Sequence, residues 1–231
     1  MVGLNLAPES TSDIENMLTA TLVIFDCDGV LVDSERLSHA VLHEMLNEMG
    51  AAISLEETVV RFIGTSMPTC IERIGVLLGR PAPRDFRSEF ASRTKAAFLA
   101  GLKTVPGVEE VLSSMATPFC VASNGNRAKV DFTLGHTGLL SRFAERVFTA
   151  DQVDRPKPAP DLFLYAASCL NAVPSRVVVV EDTPTGIIAA KAAGMYAIGF
   201  ASLTPTSCLL EAGANVVVND MPALQARLAA W

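Results

Sequence analysis

Apolar residues follow two rhythms along this chain. Leu22-Val23-Ile24-Phe25 is a continuous apolar run bounded by polar residues, the pattern of a strand buried inside a parallel sheet. From Leu37 the spacing changes to three and four residues. Leu37, Val41, Leu42, Met45, Leu46 and Met49 share one helical face that ends at Gly50, and Asp33-Ser34-Glu35 supplies the helix start. Further helices are predicted around Leu55–Phe62, Cys70–Gly79 and Phe86–Leu102, with no strand pattern between them. Residues 37–104 therefore read as a small all-helical module inserted after the first strand.

Beyond Val105-Pro106-Gly107 helices and strands alternate. The pattern predicts helix at Val108–Met115, strand at Pro118–Ala122, helix to about Leu134, and strand at Arg146–Thr149. Helix Pro160–Leu170, strand Val177–Val180, helix Thr185–Ala193 and strands Tyr196–Phe200 and Val216–Val218 follow. Such alternation means a parallel sheet covered by helices on both faces, an α/β Rossmann-like core. The expected division is a tail at 1–20, a core at 21–36 and 105–231, and the helical module at 37–104.

Composition narrows the classes. At 231 residues, half of them hydrophobic, the chain can bury a substantial core, yet it has no run of about 18 uncharged apolar residues that would span a membrane. A formal net charge of −7 argues against a nucleic-acid partner. The five cysteines are scattered without zinc-like spacing, mostly among apolar neighbours, which favours a reducing, cytoplasmic setting. Met1–Thr21 has neither the basic start nor the apolar core of a secretory signal; it reads as a mobile tail with a helical turn at Ile14–Leu18.

The candidate chemistry sits at predicted strand ends. Asp26 and Asp28 follow the first strand, and alternate side chains along extended backbone can reach one small volume. Two like charges about 4 Å apart repel by about 4 kcal/mol at an effective dielectric near 20, so the pair calls for a cation, a shared proton or open water. Ser123-Asn124, Lys157 and Glu181-Asp182 follow three further strands. Ligands of an open parallel sheet bind beyond the carboxyl ends of its strands, so the topology gathers these groups on one edge. The acidic residues make a hard-oxygen cluster suited to Mg²⁺, and Lys157, Ser123 and the Ser123-Asn124 amides make an anion cradle. Together they describe phosphoryl transfer through an aspartyl-phosphate.

The segments DCDGVLVD, SNG, RPKPAP and VVVVEDTPTGIIAAKAAGM resemble the four motifs of the haloacid dehalogenase-like phosphatase superfamily, in the family's order from about Leu22 to Phe200. The helical module resembles the alpha-helical cap of its phosphoglycolate phosphatase, beta-phosphoglucomutase and sugar-phosphate phosphatase members. The resemblance implies that Asp26 is the nucleophile and that Asp28 is the general acid and base. It implies that Ser123, Asn124 and Lys157 hold the phosphoryl group. It places Mg²⁺ on Asp26, the backbone carbonyl of Asp28 and Asp182, with Glu181 either a fourth ligand or just behind them. Asp28 argues against the dehalogenase and phosphonatase branches, which lack the second aspartate.

Mutase members carry a histidine where this chain has Ser38, with His39 one position off, which disfavours a hexose-phosphate mutase. His39 and His43 share a helical face without a third metal ligand and read as structural. Cys27 reads as filler between the aspartates. Substrate choice is expected in the cap, at Arg61, Gly64, Thr65 and Ser66 of a glycine-hinged loop. The implied activity is Mg²⁺-dependent hydrolysis of a small phosphorylated metabolite, a sugar phosphate or phospho-sugar acid, by a monomer or small homo-oligomer. A mutase and a non-catalytic metabolite-binding protein are the rival readings.

Overall fold

The computed structural model describes residues 20–229. Residues 1–19 and 230–231 lie outside the described residues, and with them the expected turn at Ile14–Leu18 and nearly all of the expected tail. Six strands form one parallel sheet: β1 (Leu22–Phe25), β2 (Phe119–Ser123), β3 (Val147–Thr149), β4 (Val177–Glu181), β5 (Tyr196–Phe200) and β6 (Val216–Val218). Their order across the sheet is β3-β2-β1-β4-β5-β6, with every neighbouring pair parallel. The winding reverses between β1 and β4, where a doubly wound sheet opens a crevice at its carboxyl edge.

The continuous apolar runs have a direct cause. Val23 and Phe25 enter one apolar cluster, while Leu22 and Ile24 enter the cluster on the opposite face. Val178 and Val180 divide from Val177 and Val179 in the same way. Each strand is therefore buried on both sides, and a polar residue on either would lose its hydration.

Among the described residues there are eleven α-helices: α1 (Ser34–Glu48), α2 (Leu55–Phe62), α3 (Met67–Leu78), α4 (Phe86–Gly101), α5 (Val108–Ser114), α6 (Arg127–His136), α7 (Leu140–Phe143), α8 (Asp161–Cys169), α9 (Pro184–Ala192), α10 (Thr206–Glu211) and α11 (Met221–Leu228). None is long and apolar enough to cross a membrane. The predicted helices recur with ends moved by a few residues. The start of α3 moves most: Ser66 caps it by accepting the N–H of Thr69, and Pro68 sits in a first turn that needs no donor from it. That shortens the predicted loop before it. The short α7, α10 and α11 had no counterpart in the apolar spacing.

Helices α1 to α4 have an apolar cluster of their own, with Leu46, Phe62, Ile74 and Phe86 buried in it. A reciprocal capping box of Ser54 and Glu57 starts α2. At the far end of α4, Phe98 and Leu102 instead join the cluster against the sheet. Ile74→Ala is expected to cost about 2–5 kcal/mol. Because Ile74 belongs to the helical cluster, hydrogen exchange should show protection lost first in α1–α4. Equal loss across the six strands would contradict separate packing of these helices.

Candidate active site

All four expected sequence groups meet at the carboxyl edge of the sheet. Asp26, Asp28, Ser123, Asn124, Lys157, Glu181 and Asp182 line one cavity of about 610 Å³. Asp26 leaves β1 with its N–H bonded to the Val180 carbonyl of β4, so the crevice between these strands fixes the backbone of the expected nucleophile. Its carboxylate is almost fully buried.

Lys157 holds the centre. Its Nζ donates to Asp26 Oδ1 at 2.6 Å, to the Ala122 carbonyl at 2.7 Å and to Glu181 Oε1 at 2.5 Å. Those three bonds use all three of its protons. The ammonium also lies 4.7 Å from the centre of the Phe163 ring, a cation–π contact in a desolvated place. Burial by itself would drive this amine toward neutrality. Asp26 and Glu181 outweigh burial and raise its proton affinity above that of a free lysine.

Asn124 also supports the lysine loop. Its Oδ1 accepts the Lys157 N–H and its Nδ2 donates to the Lys157 carbonyl, both at 3.0 Å. The side chain is thus a clamp on the lysine loop, with one Nδ2 proton left over. Ser123, at the end of β2, accepts the Gly125 N–H through Oγ at 3.1 Å, which leaves its hydroxyl proton for an acceptor in the cavity.

Asp28 is gripped by two residues the sequence reasoning did not place in the site. Ser34 Oγ donates to Oδ1 at 2.5 Å and Lys129 Nζ donates to Oδ2 at 2.7 Å. Burial pushes this carboxyl up, but Lys129 and the Ser34 bond prevail and hold it below the usual carboxylate range. Lys129 sits three residues beyond the α6 cap Asn126, whose Oδ1 accepts the Lys129 N–H. The helix start just after the Ser123-Asn124 turn was the signal that could have located it. Glu35 lines the cavity as well. His39 donates from Nδ1 to the Glu35 carbonyl at 2.8 Å, and His43 lies beside Asn47, so the two histidines do not form a metal site.

The four carboxylates Asp26, Asp28, Glu181 and Asp182 face two ammonium groups, Lys157 and Lys129. With Glu35 and Arg73, which line the cavity as well, five ionised carboxylates would face three cations, an excess of two negative charges that one divalent cation would balance. Carboxylate oxygens of Asp26, Glu181 and Asp182 lie within 4.8 Å of one another. Glu181 is committed elsewhere: Oε2 accepts from Thr183 Oγ1 at 3.0 Å, and its carboxylate rests against Gly186, where a Cβ would collide with it. Asp182 is buried yet accepts no side-chain donor among the described residues, and it packs on Gly29 (φ +77°), whose missing Cβ makes the approach possible. Burial raises the Asp26 carboxyl to about 7, opposed by Lys157 and reinforced by Glu181 and Asp28. Burial, then Glu181 and Asp26, pushes Asp182 well above the usual carboxylate range. These residues fit a hard divalent cation such as Mg²⁺.

The expected specificity residues divide. Gly64, Thr65 and Ser66 line the cavity. Arg61 does not: it belongs to the last turn of α2 and faces Glu57, one turn back, at 3.9 Å. The arginine that reaches the cavity is Arg73 of α3, which donates through Nη1 to the Arg61 carbonyl.

The family model of the haloacid dehalogenase-like hydrolases matches residues 23–200, and the chain belongs to that family. It is similar to the 6-phosphogluconate phosphatase of Escherichia coli K12, with 32% identity over 183 residues, 77% of this chain and 81% of that protein. The phosphorylated carbohydrates phosphatase of Thermotoga maritima is 33% identical over 205 residues, 85% of this chain and 93% of that one. A crystal structure of a conserved haloacid dehalogenase-like protein of unknown function from Agrobacterium tumefaciens superposes with a TM-score of 0.86 at 38% identity. That likeness covers 91% of this chain and 98% of the other.

Asp182→Asn should raise the melting temperature of the metal-free protein and reduce the further rise produced by Mg²⁺. The sign follows from protonation. Carboxyls raised above their unfolded value keep protons in the fold that the unfolded chain has released, so metal-free stability should fall as pH rises from about 4 to about 7. That slope should be shallower in Asp182→Asn. An equal slope and an equal Mg²⁺ response in both proteins would contradict the assignment.

Proposed function

We propose that this chain is a Mg²⁺-dependent phosphatase that hydrolyses a small phosphorylated metabolite, a sugar phosphate or phospho-sugar acid, through an aspartyl-phosphate on Asp26. The observation that supports it most is the pairing of a buried, lysine-held carboxylate with a second aspartate two residues on, both opening into one cavity. The phosphatases of phosphorylated carbohydrates and of 6-phosphogluconate among its relatives favour the same substrate class.

Asp26 attacks phosphorus, and the bond from phosphorus to the substrate oxygen breaks. Asp28 gives that oxygen its proton, then accepts a proton from the water that attacks the aspartyl-phosphate, releasing phosphate and free Asp26. The ionised Asp28 held by Lys129 and Ser34 is the base form. A bound phosphoryl dianion beside it favours uptake of the proton that the first step needs. Lys157 fixes the oxygen of Asp26 that it touches, and Ser123 offers its hydroxyl to a phosphoryl oxygen. Asp26, the Asp28 carbonyl and Asp182 would hold Mg²⁺, with Glu181 behind them; the ion would neutralise phosphoryl charge and align the group for attack. In this reading α1–α4 form a cap over the site. His39 is turned to Glu35 rather than lining the cavity, which weighs against the mutase.

Asp26→Asn should abolish phosphate release yet retain the fold, because the amide is nearly isosteric but cannot be the nucleophile. Asp28→Asn should slow release by about 10²–10⁴-fold. Phosphate release assays with and without excess EDTA check both variants and the metal. Full turnover in EDTA, or wild-type-like release from Asp26→Asn shown free of deamidation, would refute the proposal.

A further inference from the structure

The cavity floor and roof differ in charge. The floor is dominated by carboxylates, with Glu35 at the start of α1 beside them, whereas the roof, the part of the lining contributed by α3 and the loop before it (Gly64, Thr65, Ser66, Thr69 and Arg73), has no acidic side chain. Arg73 is the single cation of that roof, and it makes no ion pair among the described residues. Its Nη1 bond to the Arg61 carbonyl ties α3 to the end of α2 and holds the guanidinium in place. Nε and Nη2 have no acceptor among the described residues, and together they form one edge of a fork that matches a carboxylate. Beside it, the Ser66 and Thr69 hydroxyls lie 3.0 Å apart, and one of them can donate onward.

A phosphoryl group fills only part of a cavity this size, so the remainder of the substrate lies under the roof. A neutral hydroxylated end would leave Arg73 paired with water. An anionic end would satisfy it, and would otherwise meet a chain of net charge −7 and an acidic floor without compensation. A single guanidinium balances one charge, which suits a carboxylate better than a second phosphoryl dianion.

We propose that Arg73 is the specificity-determining residue of this cavity and that the substrate carries a carboxylate at the end remote from its phosphoryl group. The proposal rests on the phosphatase reading and narrows it to phosphorylated sugar acids. Arg61, the sequence-level candidate, contributes its backbone carbonyl as the tether.

The test compares gluconate 6-phosphate with glucitol 6-phosphate, open chains that differ only in the terminal carboxylate. The wild type with Mg²⁺ should favour the acid in kcat/KM by about 10- to 100-fold, the range of a charge-assisted hydrogen-bond pair. Arg73→Ala should collapse that ratio to near one, chiefly through KM, and Arg73→Lys should retain part of it. A wild type with no preference, a ratio unchanged in Arg73→Ala, or a stronger preference for a hexose bisphosphate would overturn the assignment. Calorimetric binding of both ligands to Asp26→Asn separates the two ideas. Tighter binding of the acid that depends on Arg73, without any phosphate release by the wild type, would sink the phosphatase reading and leave this one standing. Equal binding of the two ligands would sink this one.

Discussion

One buried ammonium organises the site. Lys157 reaches three acceptors that come from the ends of three adjacent strands: Asp26 after β1, the Ala122 carbonyl in β2 and Glu181 at the end of β4. Placed there alone, a desolvated cation would be costly; with two carboxylates and a carbonyl its buried charge is both balanced and fully bonded. The same contacts orient Asp26 and occupy Glu181, which leaves Asp182 a carboxylate without a side-chain donor among the described residues. Asn124 secures the arrangement from outside by holding the backbone of the lysine loop at both its N–H and its carbonyl.

Two glycines show how tightly the carboxylates are packed. Asp182 lies against Gly29 and Glu181 lies against Gly186, each where any Cβ would collide. The turn after β1 and the first turn of α9 are thus shaped to receive acidic side chains. Asp26, Glu181 and Asp182 converge closely enough that the charge of Glu181 adds to burial in raising the proton affinity of Asp26 and Asp182, and the cluster calls for a cation. A site of this kind is stable only when something positive completes it, and the proposed Mg²⁺ and phosphoryl chemistry uses that demand.

The core was legible in the sequence because burial on both faces forces uninterrupted apolar strands, and because a parallel sheet puts every strand end on one edge. Asp26, Ser123, Lys157 and Asp182 could be gathered by that rule alone. What escaped depended on side-chain direction and on partners far apart in sequence. Lys129 meets Asp28 across 101 positions, and Asn124 has the composition of a phosphate-binding turn although its amide is used on the backbone of Lys157. Arg61 and Arg73 illustrate helical phase. Arg61 has Glu57 one turn behind it, while Arg73 falls on the cavity side of a helix that begins at Met67, earlier than the apolar spacing suggested.

The central claim is that Asp26 accepts the phosphoryl group. Its most direct measurement is rapid acid quench of Asp28→Asn mixed with a ³²P-labelled sugar phosphate and Mg²⁺, followed by peptide mapping at low pH. Slowed hydrolysis in this variant should let label accumulate on the peptide that contains Asp26, in acyl-phosphate linkage that hydroxylamine releases. Label found on Ser123, or release of phosphate by a wild-type enzyme that is never labelled on a millisecond timescale, would contradict the account.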